Sequence, residues 1–333
     1  MLDMMKYKLM NGRWRMLTVY IHEEGELVSD LTVADAGKGS WINLVNPDPD
    51  ELSLVNIMTE IPTDVLKTAL DMEERSHVEI EENYIFVVIN IPALRGSDSY
   101  DTVPLGIFLT PDFFITVCLE ESDVLYPFLN NQVATFYTFK KTRFLFQIMY
   151  RTATLFLRYL QQINRRTDDI EIQLRHTTKN KDFFQLLELQ KSMTYFTSAL
   201  KTNGTVMERI LRLRSHEDVR HLLKMYEEDE DLLEDVIIEN KQAIEMVEMY
   251  SNILMNMMNA FTSIISNNLN LVMKFLAGVT IILSVPTLIF SLWGVNVPVP
   301  FAEMGAEGFP IVIGIAAVLS LIVGIFLWKN DFL

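Results

Sequence analysis

Polar and apolar positions are segregated along this chain, and three patterns succeed one another. Over residues 1–120, short runs rich in β-branched and aromatic residues alternate with turn-forming residues. Arg15–His22, Ser40–Val45, His77–Ile91, Leu105–Thr110 and Phe113–Leu119 are predicted as strands. The stretch "NPDPDEL", from Asn46, predicts a turn and then a helix start, because Asp acceptors and Pro suit a first helical turn. "TPDFF", from Thr110, predicts a tight turn between two strands.

From Ser122 onward the pattern becomes helical, with few Pro or Gly residues. One or two helices are expected as far as Lys201, with Asn203-Gly204 as the break. Another should end at Arg214, and a last one should start near His216. Nothing interrupts that last helix before Gly278. It is expected to run for roughly 75 residues and over about 100 Å into a membrane.

The third pattern is apolar. Phe275–Trp293 and Pro310–Trp328 are each 19 residues long and carry no charge. As helices each would measure about 28 Å, the thickness of a bilayer core. The alternative is a buried helix pair in a soluble domain. The expected division is a soluble α/β domain with long helices over 1–215 and a stalk over 216–270. A first span over 271–293, an outer loop over 294–309, a second span over 310–328 and a tail over 329–333 complete it.

Charge sets the orientation. Lys274 precedes the first span and Lys329 follows the second, whereas the loop between holds Glu303 and Glu307 and no base. Positive-inside logic puts both termini in the cytoplasm of a cell with a multi-pass protein in its plasma or inner membrane. The N-terminal residues show no signal-peptide core, and a single cysteine, Cys118, fits a reducing compartment.

Alternating steps of four and three from Asn252 visit Asn256, Asn259, Ser263, Ser266, Asn270, Met273, Ala277, Thr280, Ser284, Thr287, Ser291 and Gly294. Ten of these thirteen positions are Asn, Ser or Thr. A 3.5-residue repeat keeps one face toward a common axis in a left-handed bundle. A polar repeat of this kind would line a wet channel, and its amide oxygens would suit the hydration shell of a hard cation. Met273 and the adjacent Leu276 could form an apolar constriction. The rival reading is close helix packing by small and hydroxylated residues. The Asn positions weigh against it, since a dry interface would need reciprocal hydrogen bonds at every level.

Upstream, Glu227 to Glu248 contains ten carboxylates and one base, Lys241. Such a run is commonly a solvated helix face, and it would also concentrate cations near a channel mouth. Other chemistry is thin. His22, His77, His176, His216 and His221 form no zinc-protease pattern, and neither a phosphate loop nor a dinucleotide fingerprint is present. Nothing points to an enzyme. The net charge of −16 argues against nucleic acid as a partner.

The segment "NNLNLVMKFLAGVTIILSVPTLIFSLWGVNVPVPFAEMGAEGFP" with its end "FLWKNDFL" resembles the CorA family of divalent-cation channels. "WINLVNPDPDEL", "ALDMEERSHVEIEENYIFVVINIP", "PLGIFLTPDFFITV" and "LLEDVIIENKQAIEM" resemble the family's soluble strands and stalk in order, so nearly the whole chain is covered. The resemblance implies an α/β/α cytoplasmic domain, a long stalk helix and two C-terminal spans in a homopentameric funnel surrounded by lipid. It implies a passive Mg2+ channel, with Co2+ and Ni2+ as further substrates, no cofactor, and gating by metal bound between subunits.

By the same resemblance Gly294 and Asn296 fall on the glycine and asparagine of the Gly-Met-Asn signature. Val295 replaces its methionine, as in branches related to the zinc-transporting ZntB group. Asn270, Met273, Leu276, Thr280, Ser284, Thr287 and Ser291 fall on or beside the pore axis. Asp235 falls on a stalk aspartate that contributes to the regulatory metal site. Its expected acidic partner is replaced by Thr68, with Asp71 the nearest candidate. The tail carries Lys329 alone where many members have a lysine cluster. A Zn2+ transporter, with or without proton coupling, is the related alternative. A membrane-tethered sensor or scaffold without flux is the alternative of another class.

Overall fold

A computed structural model describes residues 17–23, 25–96, 99–176, 180–214, 219–297, 299–301, 304, 307–330 and 332, excluding the side chains of 30, 174–176, 180 and 182. The chain divides after Met255 into two compact units, and each is described separately.

The first unit is built on one seven-stranded mixed sheet. Its strands are β1 (Leu17–Glu23), β2 (Glu26–Leu31), β3 (Trp41–Val45), β4 (His77–Ile80), β5 (Ile85–Arg95), β6 (Ser99–Leu109) and β7 (Phe114–Cys118). Their spatial order is β2-β1-β3-β7-β6-β5-β4. Only β3 and β7 run parallel, in register from Trp41 opposite Phe114 to Val45 opposite Cys118. The central strands β5, β6 and β7 are apolar on both faces, as two covering layers require.

One layer is α1 (Pro49–Thr59) and α2 (Thr63–Thr68). Helix α1 starts where "NPDPDEL" predicts. Asp48 caps it by accepting from Glu51 N at 2.8 Å, Glu51 reaches back to Asp48 N at 3.1 Å, and Pro49 occupies the first turn. Leu52, Val55, Ile61 and Leu66 pack here on Ile42, Phe86 and Phe108 of the sheet. The other layer contains α3 (Tyr126–Leu129), α4 (Lys141–His176), α5 (Asn180–Leu213) and the start of α6 (Glu227–Trp293). Phe144, Met149, Val206, Ile210, Leu233 and Val236 pack there on Trp41, Ile89 and Ile107. The unit is therefore α/β/α. The turn "TPDFF" joins β6 to β7, and Lys141 braces it by donating from Nζ to the carbonyls of Thr110 and, at 2.8 Å, Pro111. Burial pushes the Lys141 pKa down to about 8.

Three expectations are corrected, and one strand is added. The run His77–Ile91 is two strands, because Glu81 N–H bonds Tyr84 O at 2.9 Å and folds β4 back on β5. Strand β2 is an added edge strand. Asn203-Gly204 does not break a helix and lies inside α5. Asn203 is fully buried, and a side chain at Gly204 would meet Asn240 Nδ2 at 3.2 Å, so the glycine lets α6 approach. Finally, the last helix starts at Glu227 and spans 67 residues. Residues 223–226 have no regular structure. The Asp229 carboxylate accepts from Tyr226 N at 3.2 Å and closes the first turn, where four acidic residues suit the helix dipole.

The second unit holds the remainder of α6 and α7 (Gly308–Lys329). Both helices are long and apolar enough to cross a membrane. On α7, Ala316, Ser320 and Gly324 recur every fourth residue among the less exposed positions, and a side chain at Gly324 would touch Ile282 Cδ1 of α6 at 3.7 Å. Small residues at this spacing let two membrane helices approach closely.

Candidate ion-conducting face

The thirteen striped positions from Asn252 to Gly294 are all exposed in the single chain. From Thr262 onward, the less exposed positions of α6 are Gly278, Val279, Ile282, Val285, Pro286, Ile289 and Trp293. That set precedes Thr280, Ser284, Thr287 and Ser291 by about two residues. At 100° per residue the two faces are therefore about 160° apart. Helix α7 covers one side of α6 and the polar stripe occupies the opposite side.

The stripe has a definite hydrogen-bonding character. Thr280 Oγ1 donates to Leu276 O at 2.7 Å, Ser284 Oγ to Thr280 O at 2.7 Å and Thr287 Oγ1 to Leu283 O at 3.0 Å. Ser263 Oγ donates likewise to Asn259 O at 3.0 Å. Each hydroxyl spends its hydrogen on its own helix and keeps lone pairs for an outside partner. Thr280, Ser284, Thr287 and Ser291 line an open groove of about 530 Å³. Asn256, Asn259, Asn270, Met273 and Leu276 continue the exposed face within the second unit, and Asn252 is exposed in the first unit.

At the other end Gly294 closes the helix through its N–H to Phe290 O at 2.9 Å. It does so without a left-handed φ, so what glycine provides is room. A side chain there would come within 3.3 Å of the Phe290 carbonyl. Val295 and Asn296 follow in an exposed bend. A contact that the periodicity did not reveal holds this turn: Trp293 Nε1 donates to Pro300 O at 2.9 Å. The only signal was a Trp at the end of a span with a Pro seven residues on. Glu307 is exposed at the N-terminus of α7, whereas Glu303 and Pro298 lie outside the described residues.

The two proposed regulatory ligands lie on separate elements of the first unit. Asp235 is exposed on α6. Asp71 is exposed in the turn after α2, where its Oδ1 accepts Glu73 N at 3.0 Å. Among the described residues no group of three or more His, Cys, Asp and Glu converges within one chain. Cys118 is buried, and burial pushes its thiol up to about 11, which leaves it protonated and inert.

A soluble α/β/α unit, one long helix and a second membrane-length helix define an integral membrane protein with a polar face on its first span. Comparison with known proteins gives that class a family. The family model described as CorA-like Mg2+ transporter protein matches residues 36–329, and the chain belongs to this family of divalent-cation transporters. The cobalt/magnesium transport protein CorA of Methanocaldococcus jannaschii is 24% identical over 292 residues, covering 85% of this chain and 87% of that protein. The complete structure of the CorA magnesium transporter from the same organism superposes with a TM-score of 0.77 at 22% identity, over 93% of this chain and 96% of that one. The full-length CmaX protein superposes with a TM-score of 0.70 at 16% identity, over 94% and 97%.

Proposed function

We propose that this protein is a passive Mg2+ channel in which five copies surround a pore lined by the α6 stripe. The observation that carries this reading is the stripe's place, on the side of α6 opposite α7 and built of oxygen acceptors. In a ring of copies α7 would face lipid, and Asn270, Thr280, Ser284, Thr287 and Ser291 would face water. Hydrated Mg2+ presents water hydrogens outward, and a wall of lone pairs accepts them without stripping the hydration shell. The names of the relatives, cobalt/magnesium transport proteins, support Mg2+ as first substrate and Co2+ as a second.

Gly294, Val295 and Asn296 form the selectivity turn in this reading, with Asn296 offering one amide oxygen per copy. Glu303 and Glu307 raise the cation concentration outside, and both termini lie in the cytoplasm. Met273 and Leu276 form the apolar gate. Asp235, with Asp71 of a neighbouring copy, binds regulatory metal that favours closure. Asp235→Ala should then weaken protection from protease by Mg2+, and unchanged protection would remove Asp235 from the site.

The deciding experiment is Mg2+ flux into proteoliposomes with the wild type and Asn296→Ala. Flux that is absent, or indifferent to the substitution, would overturn the reading and favour a tethered scaffold. Val295 in place of methionine supports one second reading, a Zn2+ transporter. Zn2+ uptake that requires a proton gradient would establish it.

A further inference from the structure

Lys274 is the sole basic residue between Lys241 and Lys329, and it directly follows Met273 of the stripe. At 100° per residue it lies midway between the two faces of α6, about 80° from the stripe and about 80° from the side covered by α7. A lysine stem is long enough to carry its charge to either side. In the structure the Lys274 ammonium stands over the ring of Phe332, 5.8 Å from its centroid. Phe332 follows α7, and a hydrogen-bonded turn fixes its backbone. Its N–H donates to Leu327 O at 3.1 Å, Asn330 N donates to the same oxygen at 3.2 Å, and Asn330 Nδ2 donates to Phe326 O at 2.8 Å. The ring is thus delivered from the α7 side.

We propose that Phe332 is a positioning residue for ion passage, holding the Lys274 ammonium on the α7 side of the helix and off the polar stripe. The inference rests on the pore reading above. An ammonium swung over the stripe would stand beside Met273 and Leu276, the bulkiest groups on that face, and would repel an approaching divalent cation. A cation–π contact at an exposed site biases the ammonium toward the ring by about two- to fivefold. Every copy in an assembly would contribute that bias, so its loss would be felt in conduction.

The test is Mg2+ flux in proteoliposomes for Phe332→Leu, Phe332→Tyr, Lys274→Gln and the double variant Phe332→Leu/Lys274→Gln. At low ionic strength Phe332→Leu should conduct at least about twofold less than wild type, and Phe332→Tyr, which keeps an aromatic face, should match wild type. The deficit should shrink in high N-methylglucamine chloride, since repulsion between charges is screened. Removing the charge in the double variant should restore flux. Unchanged flux in Phe332→Leu, or a deficit that persists in the double variant or at high salt, would overturn the proposal. Failure of the pore reading is distinguishable: Thr287→Leu/Ser291→Leu would then conduct normally in a chain whose Lys274 and Phe332 are intact.

Discussion

The side-chain amide of Asn203, on α5, pairs with the backbone of Asn90, on β5, through both of its ends. Asn203 Oδ1 accepts Asn90 N at 2.9 Å, and Asn203 Nδ2 donates to Asn90 O at 2.8 Å. Edge strand β4 pairs with β5 only as far as His77 opposite Val88, so past that point an asparagine on a helix replaces a strand. Ser76 Oγ donates to Asn203 Oδ1 at 2.7 Å, and Thr202 Oγ1 donates to Ser76 Oγ at 3.1 Å. Asn203→Ala would leave the Asn90 carbonyl buried without its donor and the Ser76 hydroxyl without its acceptor, and would reduce Asn90 N to its longer bond with Ser76 Oγ at 3.2 Å. The expected loss is about 2–4 kcal/mol of folding stability. Chemical denaturation of the purified protein checks this, and a loss within error would show that water replaces the amide.

Gly106 on β6 faces α2 at very short range, and a side chain there would stand 2.4 Å from Ala69 Cβ. Gly106→Ala should therefore destabilise the first unit by about 1–3 kcal/mol through overpacking. Ala69→Gly in the same chain should recover part of that loss, because the two substitutions share one contact. Strictly additive effects in the double variant would locate the strain elsewhere.

His22 gives the first unit a pH dependence. Its Nδ1 accepts Thr138 N at 3.2 Å and its own N–H donates to Thr138 Oγ1 at 3.1 Å, while the ring packs edge-on against Phe136. Burial lowers its pKa below the ordinary 6.5, against a smaller opposing effect of Asn131. The unfolded chain then binds more protons between the two values. Stability is complete above 6.5 and is lost as pH falls through the folded value. His22→Gln should flatten the decline in melting temperature below 6.5. An unchanged decline would assign it to other groups.

Thr287→Leu together with Ser291→Leu should abolish nearly all Mg2+ flux while leaving the oligomer intact on cross-linking, since two apolar side chains per copy would dewet the groove. Undiminished uptake by an assembled double variant would show that ions pass elsewhere.

The strands at Ser40–Val45 and Phe113–Leu119, the Asp48 cap and both spans were legible because each follows from residues adjacent in sequence. The stripe was legible as a pattern, and its relation to α7 was not, because only the partner helix defines which side is covered. Strand β2, "ELVSDL", is an edge strand with no clean alternation and so carries no strand pattern in the sequence. The β4–β5 turn escaped because Glu82 and Asn83 form it without Gly or Pro. Asn203-Gly204 misled for a related reason: a pair that breaks helices locally is kept in α5 by what it meets at Asn90 and Asn240. The cation–π contact between Lys274 and Phe332 joins residues far apart in the chain and left no sequence signal at all.

The inward-bonded hydroxyls of Thr280, Ser284 and Thr287 turn oxygen lone pairs, rather than hydrogens, toward the open side of the helix. Chloride, which needs donors, would be poorly solvated along it, while the outward hydrogens of an aquated metal would be well received. Discrimination by sign would then arise inside the span without a single ionised group, indifferent to acidity and beyond the reach of dissolved electrolyte.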